Sequence, residues 1–241
     1  MVCGSVAWGH HSPLNSKQSD AQKRVFMIQV EIWSDVVCPF CFIGKKNFEA
    51  ALEKYSRSEK IEVIWRSFEL DPMAQKSQQI KIHDLIAKKY GRTAEWAQEN
   101  NERLTAQGKT IGIDFDFNSI IPTNSFDAHR LLHFARAENK ENKKDNTVAQ
   151  LLFGAYFSHG QDIAQSSVLA DIVVQAGLSV EKWNKVLQGQ DFANDVRSEE
   201  SQAQELGITG VPAFVFNRKY LVSGAQPVDA FLEVLNEAAK S

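Results

Sequence analysis

The chain has 241 residues, 43% hydrophobic, 24% charged and 10% aromatic, which excludes wholesale disorder and collagen-like order and is enough chain for a real core. With 27 basic against 30 acidic residues the net charge is -3, too weak a field to gather a polyanion, so nucleic acid is not an expected partner. No apolar run approaches the ~20 residues that span a bilayer, and the first 25 residues show neither a basic n-region nor a continuous apolar h-region; no membrane partner is expected, and the expected setting is cytoplasmic.

Residues 1–24 are rich in Ser, Gly, Asn, Gln and His, and the pattern changes abruptly to an apolar run over 25–33 that reads as a buried strand. Met27 stands where that pattern begins, so residues 1–25 are expected to be a disordered leader or tag, with Cys3 incidental. Phe42, Phe48, Ala51, Leu52 and Tyr55 then fall on one helical face, with Pro39 in the first turn, where a missing N–H costs nothing. A strand over 61–68 ends at Asp71-Pro72 and completes a β-α-β unit with a right-handed crossover.

From 80 to 206 the pattern is almost wholly helical, with apolar faces at Ile82, Leu85, Ile86 and Tyr90, at Phe126, Leu131, Leu132 and Ala135, and at Leu151, Leu152, Ala155 and Tyr156. Only Ile113, Phe115 and Phe117 alternate as a strand does, in a run short enough to be an apolar loop wall. The basic cluster at 140–144 contains Glu141 and Asn142 and is expected to be a solvated helix end or loop. Strands over 213–216 and 220–222, a turn at Asn217-Arg218 and a helix over 227–239 close the chain. The expectation is an α/β fold, β-α-β then β-β-α, with 26–78 and 207–241 as the two parts of one domain around an all-helical insertion at 79–206. Trp33 and Trp65 are expected in its core.

Three cysteines are too few to staple a secreted scaffold, so the close pair Cys38 and Cys41 calls for redox or metal chemistry. Cys38 lies where the first helix opens, and free N–H groups and the helix dipole there favour a thiolate. It is the expected nucleophile, and Cys41, one turn on and more shielded, the expected resolving thiol. Pro39-Phe40 offers the thiolate no donor, which points to a less extreme oxidant than a pair enclosing histidine. Far downstream, Val211-Pro212 begins a core strand. An ordinary trans proline fits there; beside the upstream pair, a cis proline facing the cysteines, leaving the Val211 backbone to an extended substrate, is the stronger reading.

The run Glu31-Ile32-Trp33-Ser34-Asp35-Val36-Val37-Cys38-Pro39-Phe40-Cys41-Phe42-Ile43-Gly44 is followed by Phe126-Asp127-Ala128-His129-Arg130-Leu131-Leu132, Ala155-Tyr156-Phe157, Gly210-Val211-Pro212 and Ser223-Gly224-Ala225-Gln226-Pro227. Together these motifs resemble the FrnE-type branch of the DsbA-like family. The resemblance implies a thioredoxin fold with a helical insertion, protein disulfide oxidoreductase activity, Cys38 and Cys41 as the redox pair, and Pro212 as the cis proline. It also departs from the periplasmic pattern, since no histidine separates the cysteines.

Val211, Pro39, Phe40 and His129 are the expected substrate contacts, His129 also as a proton relay, and thiol or disulfide compounds, protein or small, the expected partners of a monomer or homodimer. No cofactor or metal is expected, with glutathione admitted as a co-substrate. Three alternatives stand beside this reading. One is a glutathione-dependent isomerase or transferase related to the kappa class, against which both retained cysteines argue. Another is a Cys2His2 site formed by Cys38, Cys41, His129 and His133. The third is a binding module with an apolar cleft over Cys38, suggested by Phe40, Phe115 and Phe117, whose bland reading is core packing. Asp35 is either a proton acceptor for Cys41 or a turn former.

Overall fold

In the computed structural model, which describes residues 27–138 and 144–240, the first apolar run forms β1 (Met27–Ser34), followed by α1 (Pro39–Lys54) and β2 (Lys60–Ser67). The expected leader, Cys3 and positions 140–143 of the basic cluster lie outside the described residues. After a helical block come β3 (Ala213–Phe216), β4 (Tyr220–Ser223) and α9 (Val228–Ala238). The strands make one mixed sheet in the order β2-β1-β3-β4. β1 runs parallel to β2, from Met27 opposite Lys60 to Ser34 opposite Ser67, and antiparallel to β3, with Trp33 opposite Ala213. Asn217 and Arg218, both at positive φ, close the β3–β4 hairpin, and the Asn217 amide ties it to Gln29 N–H and Ala238 C=O at 3.0 Å each.

Both faces of the sheet are covered, so β1 is buried on both sides from Val30 to Ser34 even though Ile28, Val30 and Ile32 alternate with Gln29 and Glu31. On one face α1 and α9 pack through Phe48, Phe214 and Phe231, with ring centroids 4.6–5.5 Å apart; each such buried ring contributes roughly 1.5–3 kcal/mol of apolar burial. On the other, Trp33, Ala213 and Val215 pack with Ala203 and Ile208 from α8 (Ala193–Glu205) and the turn after it. Beside that contact Glu31 is buried between Arg66 and Arg218, and Arg66 also reaches Glu199 at 2.6 Å.

The helices between β2 and β3 are α2 (Ile82–Tyr90), α3 (Ala94–Thr110), α4 (Phe126–Glu138), α5 (Asp145–Phe153), which runs on into a π-helical turn (Gly154–Ser158), α6 (Ser166–Gln175), α7 (Val180–Gln188) and α8. Residues 113–117 form an irregular segment and not a strand; Ile113, Phe115 and Phe117 are nevertheless buried, as the wall of a loop. Phe42, on α1, joins this block to the sheet side of the molecule. Its ring stacks on Phe153 at 5.0 Å and meets Phe115 edge-on at 6.0 Å, so the side chain next to Cys41 is anchored in the insertion. Trp33 and Trp65 are core residues, as expected. Among the described residues no helix is long and apolar enough to cross a membrane.

Candidate active site

Cys38 is the N-cap of α1, with extended backbone (φ -98, ψ 116) and Pro39 at the first helical position. Its N–H donates to Asp35 C=O at 3.1 Å, closing a tight turn, and its C=O accepts from Cys41 N–H at 3.1 Å. Both cysteines are free thiols; Cys38 keeps 4% of its surface open and Cys41 1%. Burial pushes the Cys41 thiol well above its ordinary value, and contact with Cys38 pushes the same way; the Ser34 hydroxyl and the Asp35 backbone oppose it. Cys41 is therefore held as a neutral thiol until its neighbourhood changes.

The Val211–Pro212 peptide bond is cis. The Cys38 thiol points at Val211 C=O, 3.8 Å away, and the buried Pro212 sits against α1 at Gly44, where a Cβ would stand 3.0 Å from Pro212 Cγ. β1 and β3 are antiparallel neighbours, so the end of β1 and the start of β3 emerge together and bring residues 38 and 211 into contact.

Asp35 is wholly buried and both forms the turn and faces inward. Its Oδ1 accepts from Val37 N–H at 3.2 Å, Oδ2 from Leu70 N–H at 2.7 Å, and His129 Nε2 lies 3.5 Å from Oδ1. His129, on α4, is wholly buried too, and neither ring nitrogen makes a hydrogen bond. Burial alone would push the imidazole down; the Asp35 contact and charge, helped by Glu69 and Glu200, outweigh it and leave the pKa raised. Tyr156 stands close by: burial pushes its phenol well up, and the Asp35 and Asp162 charges add to that.

The other expected contacts separate. Phe40 is 49% exposed beside Cys38 and Val211 is half-buried, whereas Phe115 and Phe117 stack on each other at 5.1 Å and pack against Phe157. The space those two rings do line, about 220 Å³, is bounded by polar residues such as His83, Asn101 and Asp116 and by neither cysteine. They make no apolar cleft over Cys38. His133 turns away to Ser67 at 3.0 Å and Glu199 at 3.1 Å, which removes it from a Cys2His2 tetrahedron; among the described residues no cluster of three or more His, Cys, Asp or Glu has a metal-holding arrangement.

Ser34 and Glu69 are additions that motif reading passes over. Ser34 is one residue before Asp35, and its buried hydroxyl has no oxygen or nitrogen partner, facing the Cys41 sulfur. Glu69 follows β2 in a polar stretch with no periodic signal; only the fold brings it beside His129 and Arg197.

Residues 29–236 match the family described as DSBA-like thioredoxin domain. The crystal structure of a probable DsbA oxidoreductase from Streptomyces coelicolor is similar at 36% identity and a TM-score of 0.82, over 89% of this chain and 91% of that one. The uncharacterized protein YwbO of Bacillus subtilis is 27% identical over 215 residues, 88% of this chain and 98% of its own. The cytosolic disulfide reductase DsbM from Pseudomonas aeruginosa shares the fold at 14% identity, with a TM-score of 0.62 over 88% of this chain and 98% of that one. These matches run along nearly the whole described chain, and the chain belongs to the DSBA-like thioredoxin domain family.

Proposed function

We propose that this chain is a thiol-disulfide oxidoreductase of the FrnE-type branch, with Cys38 as the attacking thiol, Cys41 as the resolving thiol and Pro212 as the residue that shapes the substrate side of the pair. The observation that carries the reading is the meeting of two free cysteines at the N-terminus of α1 with the Val211 carbonyl, 3.8 Å from Cys38 Sγ. In the reducing direction the Cys38 thiolate attacks one sulfur of a substrate disulfide. A Cys38–substrate bond forms, the substrate S–S bond breaks, and the departing thiolate takes a proton. Cys41 then gives up its proton and attacks Cys38 Sγ, forming the Cys38–Cys41 disulfide and releasing the second substrate thiol. The substrate gains two electrons and two protons; the reverse sequence oxidises a dithiol.

The exposed Phe40 ring, Pro39 and the half-buried Val211 rim the attacking sulfur, which suits an extended peptide whose backbone pairs at Val211 and whose side chain rests on Phe40. Glutathione, a short peptide, is admitted by the same rim as a co-substrate. The test is equilibration in glutathione buffers of stepped potential, with thiol trapping and mass readout of each cysteine. One reversible two-electron transition confined to Cys38 and Cys41 supports the reading, and its midpoint sets the favoured direction. A pair that stays reduced at every potential, with glutathione bound but no disulfide formed, would overturn it in favour of a glutathione-dependent isomerase.

A further inference from the structure

The helical insertion places one side chain directly on the redox turn. We infer that His129 is a positioning residue: as the cation 3.5 Å from the buried Asp35 carboxylate, it fixes the turn that presents Cys38. The inference rests on the exchange chemistry proposed above and adds a residue to it.

Asp35 holds that turn with three contacts: its C=O takes the Cys38 N–H, Oδ1 the Val37 N–H and Oδ2 the Leu70 N–H. A carboxylate with no exposed surface carries a large burial cost, which a counter-charge held against it offsets. Among the described residues His129, with Nε2 3.5 Å from Oδ1, is the cation within ion-pair reach of Asp35. A wholly buried imidazole with no hydrogen bond on either nitrogen is costly. The Asp35 carboxylate, 3.5 Å from Nε2, offsets part of that cost.

The surrounding charges agree from each element packed against it. Asp35 faces it from the β1–α1 turn, Glu69 from the segment after β2 and Glu200 from α8. Arg197, the nearby alternative cation, is already shared by Glu69 and Glu200, and Tyr156 faces Asp35 as a neutral phenol. On α4 itself, Asp127 and Arg130 pair with each other at 2.9 Å, and His133 is turned to Glu199. His129 thus sits among three carboxylates, two of them shared with Arg197, and its raised pKa has the sign this geometry demands. The positive charge is complete below the ordinary imidazole range and is lost only as pH rises through the raised value.

The experiment has two arms on the full chain. Ring 15N NMR of His129 follows its charge in the wild type and in Asp35→Asn. The imidazolium is expected to persist above the ordinary histidine range of about 6.5 and to shift down in Asp35→Asn by about a unit or more. Exchange with a small fluorescent disulfide is then measured against pH for the wild type and His129→Gln. The variant is expected to be about tenfold slower below the His129 titration, the ratio falling toward one as pH rises through it. A neutral His129 at pH 7, a titration indifferent to Asp35→Asn, or a rate ratio flat across pH overturns the inference. Should His129→Gln not fold, the NMR arm on the native protein decides; should no exchange occur in any form, the proposed function falls while NMR still reads the pair.

Discussion

Cys38 Sγ lies 3.8 Å from the carbonyl oxygen of Val211, a contact across 173 positions of sequence. It exists because β1 and β3 are antiparallel neighbours: Trp33 pairs with Ala213, so the chain leaving β1 and the chain entering β3 share one edge of the sheet. The helical segment between β2 and β3 can be inserted there without disturbing that pairing. The site is thus built on the sheet, and the insertion adds His129 to it and packs Phe115 and Phe153 against Phe42 of α1.

The two cysteines should differ sharply in reactivity. Burial and Cys38 together hold the Cys41 thiol up, so iodoacetamide at pH 8 should label Cys38 first, with Cys41 at least about tenfold slower, because only thiolates react. Cys41→Ser should trap a stable mixed disulfide on Cys38, and Cys38→Ser should reduce exchange at least about a thousandfold. Peptide mass mapping after timed alkylation reads the first result, and turnover of a disulfide probe the second. Equal labelling of both thiols would overturn the assignment of roles, and faster labelling of Cys41 would reverse it.

Gly44 separates positioning from stability. In a helix interior Gly→Ala gains about 1 kcal/mol of propensity. Here the new Cβ would stand 3.0 Å from Pro212 Cγ and 3.4 Å from Phe214, and such overpacking costs typically about 1–3 kcal/mol. The two effects largely offset, so thermal unfolding should show at most a modest loss in Gly44→Ala. Pro212 must give way by a few tenths of an ångström, and kcat/KM should fall about tenfold. Unchanged turnover with a lowered Tm would show that the contact serves packing alone.

Much of this could be read from the chain before any geometry. The strands came from apolar runs bounded by breakers, and Cys38 and Cys41 from spacing at a helix start. α3 is less legible because its surface is mainly polar: Ala97, Asn101 and Gly108 are its buried positions, which leaves hardly any apolar stripe. Phe115 and Phe117 alternate as a strand would, yet among the described residues they have no partner strand and bury themselves through ring contacts instead. His129 and His133 share one helical face, so spacing alone pairs them. Only packing shows that one meets Asp35 and the other Glu199. Glu69 had no local signal at all, since its role depends on α4 and α8 arriving from distant sequence.

Phe40 tests what the rim recognises. Its ring is 49% exposed and outside the core, so Phe40→Ala should leave stability within about ±0.5 kcal/mol. If peptides rest on it, KM for a peptide disulfide should rise several-fold with kcat nearly unchanged, the pattern of lost uniform binding. A small disulfide such as oxidised glutathione should respond less. Equal effects on both substrates would place the peptide elsewhere.

The seam behind the sheet predicts acid lability. Burial alone would push Glu199 up, but the His133 contact, Arg66 at 2.6 Å and the Ser67 N–H at 2.7 Å hold it at about 2. The folded value lies below the unfolded one of about 4.3, so the stabilisation is present above pH 4.3 and is lost as pH falls toward 2. A depression of about two units corresponds to about 3 kcal/mol. Glu199 also accepts from both β2 and α4, so its protonation loosens the insertion from the sheet. Urea unfolding between pH 2 and 7 should show a fall of that size in the wild type and a markedly flatter profile in Glu199→Gln, whose stability at pH 7 should already be lower by about 3 kcal/mol. Parallel pH profiles for the two proteins would mean that other carboxylates carry the acid transition.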